Sequence, residues 1–233
     1  MFDSIRVNTH PPTASRRGWG RPVQRGRDAL VLMWLLIAGS TSVAPVPANA
    51  GPCHPAELFA TDSSDQGGLD ELELFALQAT ATLALNGAPV TGSALLDGVF
   101  WSDERQQVAV ERARQFHLCV VDEPALDAAA QALRRQFGQQ AVLTFDYLTE
   151  DARDSQAAII AVPGIDFARF RDAFVADEAA HHRLLGGSVT ATEPTLILVA
   201  ANEDLDIAHR LVDASGGDWA TATITYGDRE IVR

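Results

Sequence analysis

The chain predicts an α+β fold of the ferredoxin-like, split β-α-β kind, in which two helices cover one face of an antiparallel sheet. Three observations carry that prediction. Between residues 116 and 192 the apolar pattern switches cleanly between a period of two and a period near 3.6. The switches fall on cap and turn residues: Asp122, Glu123 and Pro124, then Gly138, then Pro163 and Gly164, then Gly186 and Gly187. Read in order, the segment is strand, helix, strand, strand, helix, strand.

The first fifty residues differ from the rest. Arg6, Arg16, Arg17, Arg21, Arg25 and Arg27 precede an apolar run at 29–38 (ALVLMWLLIA), which is followed by small residues ending Ala48, Asn49, Ala50. A charged arm, a short apolar stretch and an A-x-A site describe a secretory signal peptide over 1–50, cut after Ala50. The apolar run is too short to cross a hydrocarbon core of about 30 Å, so no permanent membrane span is expected. The expected location is the bacterial cell envelope or the medium.

Removing that arm's 6 basic and 2 acidic residues from the chain's 18 and 31 leaves 12 and 29, a net charge of −17. Such a surface repels a phosphate backbone, so no nucleic-acid partner is expected. The chain contains no lysine, which excludes Schiff-base chemistry and the P-loop. Cys53 and Cys119 are an even pair in an exported chain, and a disulfide is the simplest pairing.

Residues 51–115 are expected to form a loop and helices packed on a core built from 116–233, all one domain. Within them 51–68 reads as irregular apart from an extended piece at 57–60. Residues 69–85 form a helix with a stripe of Leu69, Leu72, Ala76, Ala79 and Leu83. Residues 95–101 (LLDGVFW) plug the core, and Ser102 caps a helix running to about Arg114. In the core, 116–121 is a strand and Asp122 caps a helix lined by Leu126, Ala129, Ala130, Leu133 and Phe137. Strands follow at 141–148 and 157–162. Asp166 caps a helix carrying Phe167, Phe170 and Phe174, which continues or restarts after Asp177 as far as 185. Strand 188–192 completes the unit. A C-terminal β-α-β-β extension holds a strand at 195–200, a helix at 203–214 capped by Asn202, a strand at 219–226 and, after a turn at Gly227 and Asp228, a last strand at 230–232.

Chemistry-bearing motifs are sparse. The chain lacks G-x-S-x-G, H-E-x-x-H, G-x-G-x-x-G and C-x-x-C, so no cofactor is expected. Asp177 and Glu178 each lie four residues before a histidine, His181 and His182, and the four could serve as a metal or general-base set. Neighbouring helical histidines point about 100° apart, however, and the phenylalanine stripe continued by seven residues puts His181 on the core side. A hydrogen-bonded structural histidine is the simpler reading. His117, on the first strand near Asp122, is the third candidate, although Asp122 reads first as a cap. Trp101, Tyr147, Trp219 and Tyr226 could bind a sugar or peptide if exposed, or pack in the core. The resulting expectation is a secreted, acidic, non-catalytic binding or interaction module for a protein or small-molecule ligand. The alternative is a metal- or histidine-assisted secreted hydrolase that uses His181, Asp177 and His117. A hydrolase requires His117 and His181 to converge in one pocket; a binding module does not.

Overall fold

The computed structural model describes residues 53–62, 69–148, 156–184 and 186–233, all within one compact unit, Val46–Arg233. The expected signal peptide and its cleavage site lie outside them. Among the described residues eight strands and five α-helices follow in order: β1 His54–Thr61, α1 Leu69–Leu85, β2 Val90–Ser102, β3 Gln107–Val120, α2 Glu123–Phe137, β4 Val142–Tyr147, β5 Ala157–Pro163, α3 Phe167–Ala176, α4 Glu178–Arg183, β6 Gly186–Thr190, β7 Thr195–Ala201, α5 Leu205–Ala214 and β8 Thr223–Val232.

The strands form a closed antiparallel barrel in the order β1-β3-β2-β6-β7-β5-β8-β4, with β4 returning to β1. This corrects the expected ferredoxin-like sheet over 116–192 and its C-terminal extension. The expected unit would hold an open sheet with both helices on one face. Instead β2 pairs with β6 and β4 with β8, so no strand of the barrel is left as an edge. Each half of the chain runs strand, helix, strand, strand, helix, strand (β1 to β4, then β5 to β8, with α3 and α4 together filling one helical position). Strands of like position meet at both seams, β2 against β6 and β4 against β8.

The largest local correction concerns residues 103–114. Glu, Arg, Ala and Gln favour a helix there, yet β3 pairs with β2 from Ser102↔Gln107 to Val90↔Leu118. The turn between them uses Gln106 in the left-handed region, φ 51°. Tertiary pairing overrides a weak propensity. The segment expected to plug the core, 95–101, is the far half of β2, and the extended piece expected at 57–60 is lengthened to the whole of β1. Asp62, in the stretch read as irregular, is buried and lies 3.7 Å from Arg114.

Successive strand residues alternate between an outer wall and an inner lumen. Outside, Ala56, Leu58, Phe116, Leu118, Val120 and Val142 pack beneath α1 and α2, where Phe75, Ala79 and Leu83 form the buried stripe of α1. On the other half, Val99, Ile160, Val162, Leu196 and Leu198 pack beneath α3, α4 and α5. Leu96, Phe145, Ala157, Ile159 and Ile197 fill the middle of the lumen.

Capping follows the residue types. Asp122 accepts from the Ala125 N–H at 2.9 Å to start α2, and Gly138 ends it in the left-handed region, φ 63°. Asp166 accepts from Arg169 N–H at 2.8 Å, and the helix that begins there breaks and restarts at Asp177. The expected Asn202 cap is corrected: Asn202 starts a 3-10 turn, Asn202–Asp204, and α5 has Asp204 at its N-cap position without a side-chain capping bond. The expected turn at Gly227 is also absent, because β8 runs straight through it. A Cβ at Gly227 would overlap the Asp146 carbonyl oxygen and the Phe145 ring, so the glycine serves a close approach inside a strand. The Cys53–Cys119 disulfide is present, with Cα atoms 5.3 Å apart, and ties the start of β1 to the end of β3.

Candidate functional site

The lumen is where the inner faces of all eight strands converge, and its two ends differ. Toward one end, β1 contributes Glu57, β3 contributes Gln115 and His117, and β4 contributes Tyr147. Alternation aims all four inward, and the register places Glu57 opposite His117 on one side and Phe145 on the other. The Glu57 carboxylate is 5% exposed and accepts three groups. The Tyr147 hydroxyl donates to Oε1 at 2.7 Å, and the Gln115 amide donates to Oε2 at 3.2 Å. His117 Nδ1 lies 2.9 Å from Oε1 and 2.8 Å from Oε2.

A carboxylate accepts, so Nδ1 carries the proton, and Nε2 is the nitrogen left to exchange one. The His117 side chain is 45% exposed. Its hydrogen bond to Glu57 raises the imidazole above its ordinary value, outweighing burial, which acts the other way. Burial pushes the Tyr147 phenol up, and the Glu57 charge adds to that, so the hydroxyl stays a donor. Gly92 lies opposite His117, and a Cβ there would stand 3.3 Å from His117 Cδ2, so the glycine leaves room for the ring.

Toward the other end the same strands line a cavity of about 840 Å³. Phe59 and Thr61 follow Glu57 along β1, Glu111 and Ala113 precede Gln115 along β3, and Leu143 precedes Phe145 along β4. Ile197, Val199, Arg229 and Ile231 complete the inner lining. Glu111 is held there by the Thr61 hydroxyl, which donates to Oε1 at 2.5 Å. Asp103 and Arg233 are exposed at the rim.

The remaining sequence candidates lie elsewhere. His181 is outside the barrel wall, 8% exposed; its Nε2–H donates to the Phe174 carbonyl at 2.7 Å, and its ring stacks on Trp101 with centroids 4.5 Å apart. Asp177 caps α4 through the Ala180 N–H at 3.1 Å and lies 3.7 Å from Arg210. Glu178 and His182 are exposed, and His182 meets Trp101 only edge-on at 6.3 Å. His181 and His117 therefore sit on opposite faces of the barrel wall and do not converge. Among the described residues no group of three or more His, Cys, Asp and Glu could hold a metal ion.

Glu57 and Gln115 went unnoticed in the sequence because each is an isolated polar residue on an alternating strand. Only the pairing of β1 with β3 joins them. Of the aromatic set, Trp101 packs on His181, Trp219 stacks on His209 at 4.6 Å, and Tyr147 faces the lumen; Tyr226 is the exposed member.

No protein-family model matches the chain, and no curated protein matches it. A solved structure described as a "putative monooxygenase" from Lactobacillus acidophilus is 12% identical and covers 77% of this chain and 96% of its own. Its TM-score of 0.26 is too low to carry an argument about fold or activity. Among the described residues, no helix is long and apolar enough to cross a membrane.

Proposed function

We propose that the chain is an extracytoplasmic, non-catalytic binding protein that takes a small, largely apolar molecule into the open end of its barrel. The observation that carries this reading is the cavity of about 840 Å³ faced by Phe59, Leu143, Ile197, Val199 and Ile231. That volume lies in the range of small-molecule sites, and apolar walls with few polar groups are their usual lining. Separation of His117 from His181 by the barrel wall supports binding over a two-histidine hydrolase. The Cys53–Cys119 bridge supports an oxidising compartment.

The test is displacement of a neutral fluorescent probe, N-phenyl-1-naphthylamine, from purified protein. The wild type binds it, and Val199→Trp, which fills the lumen, weakens binding at least tenfold while the far-UV spectrum is unchanged. Absence of probe binding by the folded wild type, or equal binding by the filled variant, overturns the proposal.

One observation favours a second reading, histidine-assisted hydrolysis: the buried Glu57 carboxylate orients His117 so that Nε2 faces outward as a base. Turnover of an ester panel, lost in both His117→Asn and Glu57→Gln, would establish it. Background rates in the wild type would dismiss it.

A further inference from the structure

Resting on the lumen-binding reading, we propose that the ligand is an apolar molecule bearing a single carboxylate, and that Arg229 holds that group. Arg229 lies on β8 between Gly227 and Ile231, and the three share the inner face. The direction of that face is set by Gly227, whose missing Cβ would point into the Phe145 ring. Register pairs Arg229 with Phe145, the large side chain at the centre of the lumen. Arg229 therefore lines the cavity from the strand position beside Phe145, next to its apolar walls.

Among the described residues no carboxylate lies within 4.0 Å of Arg229. Arg112, Arg114, Arg171, Arg183 and Arg210 each lie within 4.0 Å of a carboxylate. Arg105, Arg134, Arg135, Arg169 and Arg233 show no ion pair among the described residues either, but they lie on a turn, on helices or at the exposed rim, whereas Arg229 faces the lumen. Arg229 has no ion pair or side-chain hydrogen bond among the described residues, in a chain whose net charge is −13. Acidic groups are plentiful, so an inward arginine left without one marks a place where an anion from outside is accommodated. The planar fork matches a carboxylate with two parallel hydrogen bonds, and apolar surroundings strengthen such a pair.

The other charges sharpen the ligand class. Glu111 also faces the cavity, and one of its oxygens is occupied by Thr61. A dianion such as a phosphate monoester would meet Arg229 and Glu111 together, attracted by one and repelled by the other. Doubling the charge doubles the attraction and the repulsion alike but raises the desolvation cost roughly with its square, so a monocarboxylate is favoured in an apolar cavity. Asp103 and Arg233 at the exposed rim are of opposite sign and leave the entrance with no net preference. Phe59, Leu143, Ile197, Val199 and Ile231 then cover the apolar body.

Titration calorimetry with a matched pair, decanoate and decanol, at pH 8 and low salt tests the assignment. The wild type binds decanoate at least tenfold more tightly than decanol. Arg229→Gln lowers decanoate affinity to that of decanol and leaves decanol affinity as it was. Arg229→Met, which keeps an apolar stem, carries the same expectation if the glutamine variant does not fold. Equal affinity of the wild type for the two ligands overturns the role of Arg229 and leaves lumen binding standing. So does binding of the neutral probe without either decyl ligand. Failure of the wild type to bind the probe or either decyl ligand overturns the lumen reading itself.

Discussion

At the scale of single residues, Glu57 is the buried group on which most depends. It accepts from a tyrosine, a glutamine and a histidine, and the hydrogen bond to His117 holds that imidazole above its ordinary value of 6.5. A raised folded value means a contribution to stability that is complete below about pH 6.5. It is lost as pH rises through the folded value above that. Glu57→Gln removes the charge, so the His117 titration, followed by NMR, moves down toward 6.5 and this part of the pH dependence of stability disappears. Glu57→Ala leaves three donors without their acceptor and destabilises by about 2–4 kcal/mol in denaturant titration. An unchanged His117 titration in Glu57→Gln would show that the two groups are not coupled. His181 offers the contrast. Its bond to the Phe174 carbonyl and its stacking on Trp101 are packing interactions. His181→Ala costs about 2–4 kcal/mol of stability and leaves ligand affinity unchanged. Its buried position was legible from the phenylalanine stripe of α3 continued seven residues into α4. The partners of His117 were not, since 60 residues separate it from Glu57.

At the scale of elements, the sequence marked helices and short apolar strands well and long mixed strands poorly. The segments 123–137, 157–163 and 195–201 carry one uniform pattern each, and their limits could be read to within a residue or two. β3 could not be read, because its outer face changes from Val108 and Val110 to Arg112 and Arg114 and then to Phe116 and Leu118. Its inner face carries Glu111, Gln115 and His117. A lumen with a polar end erases the alternation that would identify a strand. Gly227 is similar: read as a turn, it is a strand residue that makes space for Phe145. Gly227→Ala is expected to destabilise by more than about 2 kcal/mol, because backbone as well as ring obstructs the new methyl. A variant as stable as the wild type by thermal melting would show that β4 and β8 can separate. The link between Cys53 and Cys119 closes a 66-residue separation. Its reduction costs about 4 kcal/mol on the chain-entropy model, read as the change in denaturant midpoint with and without reductant.

At the scale of the whole molecule, closure was invisible in the sequence because it depends on which strands meet at the seams. Local periodicity reports faces and says nothing about partners 80 to 94 residues away, as in β2 with β6 or β4 with β8. A fragment spanning 53–148 would keep β1 to β4 and expose the edges of β2 and β4. Because like strands meet at both seams, two copies can close on each other, and sedimentation equilibrium is expected to show a dimer. A folded monomer would mean the edges are shielded in some other way. The arrangement of the seams has one more effect. If two identical polypeptides built this cylinder, any acidic cluster in one half would be duplicated in the other, and both halves of the lumen would be polar or both apolar. One continuous chain escapes that constraint: Glu57 and its donors line one half, while β5 and β7 place Ala157, Ile159, Ile197 and Val199 in the matching half. The molecule thereby acquires two unlike halves, the polarity a container needs.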